Sequence, residues 1–295
     1  MDHEPVNGVL VLDKPPGMSS AAAVDHVKRA LRAKRAGHGG TLDPIATGVL
    51  AICLGEGTKV AQYLLADDKA YRAELVLGRI TDTLDRTGIV IEERDASGVT
   101  RAQIEAALAG RRGEQDQVPP MFSAIKQDGV RLYKQARRGV EVERAPRRIR
   151  IDRLELVAYE GTRVTLDIAC SKGTYIRSLV DDLGRDLGCG AYLAELRRTR
   201  SGLFSIDQAQ QLTALDATRL LPIEHVLRLP AVTVTPDLIP FVRSGLQLRL
   251  DQLPPIPESP QFQLIDESAK VVAIVHADAG KIIYDRVFPV LTSRP

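Results

Sequence analysis

Apolar and polar positions change spacing several times along this chain, and each spacing predicts an element. Residues 9–12 (VLVL) are continuously apolar, the texture of a short buried strand. Lys14-Pro15-Pro16-Gly17 then breaks regular structure. Ser19 or Ser20 can cap a helix to about Lys34. Val24, Val27 and Leu31 share one face of it, with Lys28, Arg29, Arg32, Lys34 and Arg35 elsewhere. At Tyr71 the period drops to two, and Tyr71, Ala73, Leu75 and Leu77 line one side of a strand. Residues 81–88 read as a polar loop. Thr100 and Gln103 have capping-box spacing, predicting a helix through Arg112 that Gly113 ends, with Ile104, Ala107 and Leu108 inward. Residues 151–157 and 164–170 read as paired strands around Tyr159-Glu160-Gly161. Residues 171–173 turn into a helix capped by Thr174, with Ile176, Leu179, Val180, Leu183 and Leu187 as its core stripe. Tyr175 and Arg177 fall in its first turn, off that stripe. An arginine there gains nothing from the helix dipole, so another group should hold it, a carboxylate being the obvious candidate.

A boundary falls near residues 228–230. Beyond it, 231–235, 262–265, 271–276 and 282–288 are short strand-like runs, with a proline-rich link at 253–260. The order of elements lacks regular βαβ alternation. It predicts an α+β fold: a mixed, mostly antiparallel central sheet with flanking helices in residues 1–229, and a small β-rich domain at 230–295 docked against it.

Composition narrows the function classes. Hydrophobic residues make up 44% and charged residues 26%, and the net charge is +2, so a nucleic-acid partner has to be argued from local clustering. The acidic first residues with only a short apolar run argue against a signal peptide, and no stretch approaches a membrane span. Cys53, Cys170 and Cys189 are far apart and odd in number, which suits a reducing cytoplasm. The histidines form no HExxH pair and there is no CxxC, so no metal site is expected. Gly37-His38-Gly39 and residues 55–59 are near misses to dinucleotide and phosphate-loop motifs and read as ordinary turns.

Two stretches carry candidate chemistry. Residues 37–48 (GHGGTLDPIATG) surround one carboxylate, Asp43, with glycines that permit close approach and with Pro44, which pushes Asp43 out of the helical region. That loop is either a plain Asx-type turn or the seat of a catalytic acid. Residues 114–150 read as an inserted basic arm. Lys126, Arg131, Lys134, Arg137, Arg138, Arg144, Arg147, Arg148 and Arg150 stand against Asp128, Glu141 and Glu143, with Phe122 and Tyr133 interleaved. The excess of one sign favours a polyanion partner over a merely solvated face.

The segments KPPGMSS (14–20), GHGGTLDPIATGVL (37–50), LGEGTK (54–59), DKAYR (68–72), GRITDTLD (78–85) and CSKGTYIR (170–177) resemble, in order, the motifs of the TruB family of bacterial tRNA pseudouridine-55 synthases. The resemblance covers about residues 8–228. It implies a pseudouridine-synthase fold with a PUA-like RNA-binding module at the C-terminus. It further implies isomerisation of one uridine in the T-loop of tRNA. By resemblance Asp43 is the catalytic nucleophile, Tyr71 stacks on the flipped base, and Arg177 pairs with the acid and keeps it ionised. His38 touches the RNA where the flipped nucleotide leaves space, and Tyr175 and Leu196 line the base pocket, although Leu196 could equally be core. Lys14 is grouped with the substrate site through a supporting turn beneath the loop. The basic arm resembles the family's thumb loop. No metal, nucleotide or organic cofactor is implied. The partner is the T-arm stem-loop of tRNA, with no guide RNA and no membrane, and the enzyme is expected to act as a cytoplasmic monomer. Two rivals stand beside this reading: a non-catalytic RNA-binding protein on the same scaffold, and a sister enzyme working in a guide-RNA particle. A glycoside hydrolase would need a second paired carboxylate, which is not evident in the sequence.

Overall fold

The computed structural model describes residues 6–289 except 124, 128, 137 and 141. Asp128, Arg137 and Glu141 of the basic arm lie outside the described residues, as do the side chains of Lys126, Arg131, Tyr133 and Lys134.

Strand β1 (Gly8–Lys14) leads through the proline turn into α1 (Ser20–Ala30), whose N-cap Ser19 accepts from the Ala22 amide at 3.1 Å. The helix ends four residues before Lys34, and Arg32 takes φ +52. Strand β2 (Ala36–His38) and the glycine-rich loop precede β3 (Thr47–Leu54). After α2 (Ala61–Leu65) come β4 (Lys69–Leu77), β5 (Arg79–Thr81), β6 (Val90–Glu93) and α3 (Arg101–Gly110), which carries the expected capping box. Strand β7 (Gly113–Gln117) opens an insertion holding β8 (Lys126–Gln127), β9 (Val130–Arg131) and α4 (Leu132–Ala136). The hairpin of β10 (Arg147–Glu160) and β11 (Arg163–Cys170) follows, then α5 (Ile176–Asp186), β12 (Ala191–Ser201), β13 (Phe204–Ser205) and α6 (Ile223–Val226). The last segment contains β14 (Ala231–Thr233), α7 (Ile239–Ser244), β15 (Phe262–Ile265), β16 (Val271–Asp278) and β17 (Lys281–Val287).

Among the described residues, nine strands form the main sheet, in the order β1-β3-β12-β4-β11-β10-β7 with β2 on β3 and β13 on β12. Every pairing is antiparallel except β12 with β3, where Arg197 and Arg198 lie beside Thr47 and Gly48. The fold is therefore α+β with a mixed, mostly antiparallel sheet. Burial explains the sequence textures. Residues 9–12 of β1 and 49–54 of β3 are continuously apolar because both faces are covered. One face meets α1 and the main core; the other meets Ile223, Val226, Val271, Ile274 and Phe288. Strand β11 alternates because only one face is buried. The C-terminal four-stranded sheet, β14-β15-β16-β17, has a core of its own around Phe262, Leu264 and Val275.

Three expectations need correction. Helix α5 has Tyr175 at its N-cap with no side-chain cap bond, while Thr174 Oγ1 donates to the Ser171 carbonyl instead. The basic arm is shorter than 114–150, because residues 113–117 and 147–151 pair with each other as β7 and β10 within the main sheet. Its charge excess is also smaller. Glu114 and Asp116 belong to the same span, and Arg148 lies 3.0 Å and 3.8 Å from their carboxylates. Central strand β12 also carries the basic run Arg197-Arg198-Thr199-Arg200.

Candidate active site

The loop between β2 and β3 is pinned from beneath. The Gly39 amide donates to the Ala51 carbonyl at 2.9 Å. Ser20 Oγ accepts from the Leu42 amide at 2.8 Å and donates to the Leu42 carbonyl at 3.0 Å, tying the loop to the start of α1. Leu42, Ile45 and Ala46 face the core. Arg198 is 2% exposed, and its guanidinium donates to the carbonyls of Val49, Thr41 and Gly40 at 2.7, 3.2 and 3.1 Å. Gly48, at φ +97, lets β3 close on β12; a Cβ there would sit 2.2 Å from the Arg198 carbonyl oxygen.

Lys14, grouped with the substrate-contacting residues on sequence grounds, has no exposed surface. Its Nζ donates to the carbonyls of Pro15 and Met18 at 2.8 Å each and to that of Pro44 at 3.5 Å. A side chain spent on three carbonyls beneath the loop braces Pro44 and has no surface to offer RNA. Burial pushes its ammonium down to about 8, against the pull of the Asp43 charge.

Asp43 emerges from this frame with its side chain 36% exposed, and its Oδ2 lies 2.8 Å from Arg177 Nη2. Arg177, the second residue of α5, is 4% exposed. The carboxylate expected to hold it is therefore present, and there are two of them: Asp85 Oδ2 lies 3.7 Å from Arg177 Nη1. The guanidinium also donates to the carbonyls of Thr83 at 3.2 Å and Phe122 at 2.8 Å. The Asp85 carboxylate is turned by the Thr83 hydroxyl at 3.0 Å and the Thr87 amide at 2.9 Å. One buried cation thus orients a half-exposed acid while a second, buried acid balances its charge.

A cavity of about 490 Å³ opens beside the loop, within the range of small-molecule sites; Thr41, Tyr71, Ile149, Tyr175 and Arg198 are among its lining residues. Tyr71 on β4 is 8% exposed, and burial pushes its hydroxyl up to about 12, the Arg198 charge pulling the other way. Burial likewise raises the Tyr175 hydroxyl and lowers His38, the latter helped by Arg198. Asp43 is close enough for its charge to act on Lys14, Tyr71 and Tyr175. His38 ends β2, where its Nδ1 accepts from the Gly40 amide at 3.4 Å. Leu196, opposite Ala73 on β12, is 8% exposed and packs in the same apolar cluster as Tyr71; it is not among the cavity's lining residues.

The structure therefore pairs Asp43 with Arg177 beside a cavity that Tyr71 and Tyr175 line, sets His38 at the loop's edge and puts Leu196 and Lys14 behind. Sequence reasoning missed Arg198, Asp85 and Gln117. Asp85 closes a quoted motif, so a signal existed without a role attached. Arg198 was concealed in the run of bases at 197–200.

The chain matches the model described as TruB family pseudouridylate synthase (N terminal domain) over residues 28–176. It matches the one described as tRNA pseudouridylate synthase B C-terminal domain over 177–228. It is 54% identical over 212 residues to a tRNA pseudouridine synthase B of Pseudomonas fluorescens, covering 72% of this chain and 69% of that one. It is 44% identical over 284 residues to the enzyme of the same name from Pseudomonas putida, covering 91% of each. Among solved structures, a Cbf5–Nop10–Gar1 complex aligns with a TM-score of 0.74 at 27% identity, covering 96% of this chain and 85% of that one.

Proposed function

The chain belongs to the TruB family of pseudouridylate synthases, and on that premise we propose that it isomerises uridine 55 in the T-loop of tRNA to pseudouridine. The N1–C1′ bond breaks, the base turns, a C5–C1′ bond forms, and the C5 proton leaves while N1 is left protonated. The single observation that carries the reading is the 2.8 Å approach of a buried guanidinium to a half-exposed loop carboxylate beside a tyrosine-lined cavity.

In this reading Asp43 is the nucleophile. Arg177 keeps it charged and aimed, balanced from behind by Asp85. Flipping the target base out of its stack costs a few kcal/mol. Stacking on the Tyr71 ring returns about 1–3 kcal/mol. The Tyr71 hydroxyl, held protonated at neutral pH by burial, relays the C5 proton; a Tyr71→Phe enzyme with normal turnover removes that step and leaves the stacking. Tyr175 frames the base and His38 meets the RNA at the loop's edge, while Leu196 backs the Tyr71 ring. The insertion between β7 and β10 closes over the RNA through phosphate contacts. Residues 1–229 form the catalytic domain, and 230–295 form a PUA-like RNA-binding domain. The enzyme works as a cytoplasmic monomer on the T-arm without a guide RNA.

The experiment is tritium release from a tRNA transcript carrying 5-tritiated uridine, using the purified protein alone. Wild type should release tritium, and Asp43→Asn should bind the transcript and release none. Release by Asp43→Asn, or none by wild type, overturns the reading. Release only after a guide RNA is added would favour the particle-bound alternative.

A further inference from the structure

Gln117 is the last residue of β7 and is 4% exposed. Its side chain meets both backbone polar groups of one residue 58 positions away. Oε1 accepts from the Tyr175 amide at 2.8 Å, and Nε2 donates to the Tyr175 carbonyl at 3.0 Å. Tyr175 is extended, with φ −98 and ψ 110, and immediately precedes α5. The amide therefore acts as a one-residue strand partner, fixing the two peptide planes that lead into the helix. Only a group with a donor and an acceptor in one plane can do this; a carboxylate offers acceptors alone and a guanidinium donors alone.

Two further bonds join the same places. Ser178 Oγ donates to the Val118 carbonyl at 3.0 Å, and Arg177 Nη2 donates to the Phe122 carbonyl at 2.8 Å. The root of the insertion is thus fastened to the first turn of α5, the turn that carries Arg177. That helix start has no side-chain cap of its own, so its position depends on what is docked against it.

We propose that Gln117 is a positioning residue for the isomerisation: it sets the backbone of Tyr175, and through it the reach of Arg177 to Asp43. The inference rests on the proposed activity. Gln117 touches neither the reacting acid nor the cavity, so its effect passes through Tyr175 and Arg177. A misplacement of about 1 Å in a group that acts on the substrate costs on the order of 100-fold in rate.

The test compares wild type, Gln117→Leu and Gln117→Glu on a tRNA transcript, reading single-turnover rate, tRNA Kd and thermal melting. Gln117→Leu keeps the volume and loses both bonds. Its rate should fall by about 10–100-fold with Kd changed less than about threefold. Gln117→Glu keeps the bond from the Tyr175 amide but sets a buried carboxylate oxygen against the Tyr175 carbonyl, so its rate should fall at least as far as that of Gln117→Leu. If Gln117→Leu does not fold, Gln117→Glu alone decides, a folded variant with a reduced rate and unchanged Kd being the supporting result. In an Arg177→Lys background, the loss from Gln117→Leu should largely disappear, because both changes act on one guanidinium. A wild-type rate in the folded variants, a lowered melting temperature with the rate intact, or a loss confined to Kd overturns the inference. Failure of the wild type itself to isomerise would instead sink the proposed activity.

Discussion

Replacing Arg198 by leucine tests whether the catalytic loop is held from below. The wild-type guanidinium supplies three hydrogen bonds, to Val49, Thr41 and Gly40 at 2.7–3.2 Å. A buried carbonyl left without a donor costs about 1–3 kcal/mol, so the gross loss is ~3–9 kcal/mol. Two effects reduce it. Removing a buried cation recovers several kcal/mol of desolvation. Arg198 also lines the cavity, so water can reach part of the vacated site. The net destabilisation should be about 2–4 kcal/mol, which a domain of ordinary stability survives. The effect on chemistry should be larger in proportion. Arg198 grips the loop two and three residues before Asp43, and a misplacement of about 1 Å costs on the order of 100-fold in rate. Arg198→Lys separates charge from geometry: it keeps the cation but one ammonium cannot repeat the guanidinium's three-way grip, so its rate should lie nearer leucine than wild type. Urea denaturation and single-turnover tritium release measure the two halves. An Arg198→Leu enzyme within about twofold of the wild-type rate would refute the reasoning, because the loop would then keep its place without its anchor.

Arg177→Ala strands the buried Asp85 and frees Asp43, a loss of about 3–5 kcal/mol for a broken buried pair, so tritium release should vanish while gel-shift affinity for tRNA persists; the reverse pattern would refute the assignment. Gly48→Ala forces a Cβ to within 2.2 Å of the Arg198 carbonyl at φ +97, and urea midpoints should show a loss above ~3 kcal/mol, an unchanged midpoint counting against the close β3–β12 approach. Burial holds the Lys14 ammonium at about 8 in the folded chain, against ~10.4 when unfolded. The unfolded chain therefore holds that proton more tightly, and the contribution of Lys14 to stability rises with pH across this window. Wild type should gain on Lys14→Met between about pH 8 and pH 10 in urea melts; a constant gap would mean that burial does not depress the ammonium.

Local pattern carried much of this protein. Continuous apolarity marked the doubly covered strands, period two marked the half-buried ones, and Ser19 and the Thr100–Gln103 pair marked helix starts. Even the carboxylate beside Arg177 was foreseeable, because a cation in a first helical turn requires a reason to be there. Other features had no local trace. Residues 197–200 are a run of bases with one threonine, yet Arg198 lies in the centre of the sheet, because Gly40, Thr41 and Val49 bring their carbonyls to it across more than 140 positions of chain. Arg148 of the arm is met by Glu114 and Asp116 across the β7–β10 pairing, a match that spacing along the chain does not show. Gln117 looks like any polar strand end until Tyr175 arrives opposite it. Spacing along a chain reports which short segments prefer to be covered. Whether a buried charge or amide is tolerated depends on partners that only the folded chain assembles, and that is where the tertiary structure decided this site.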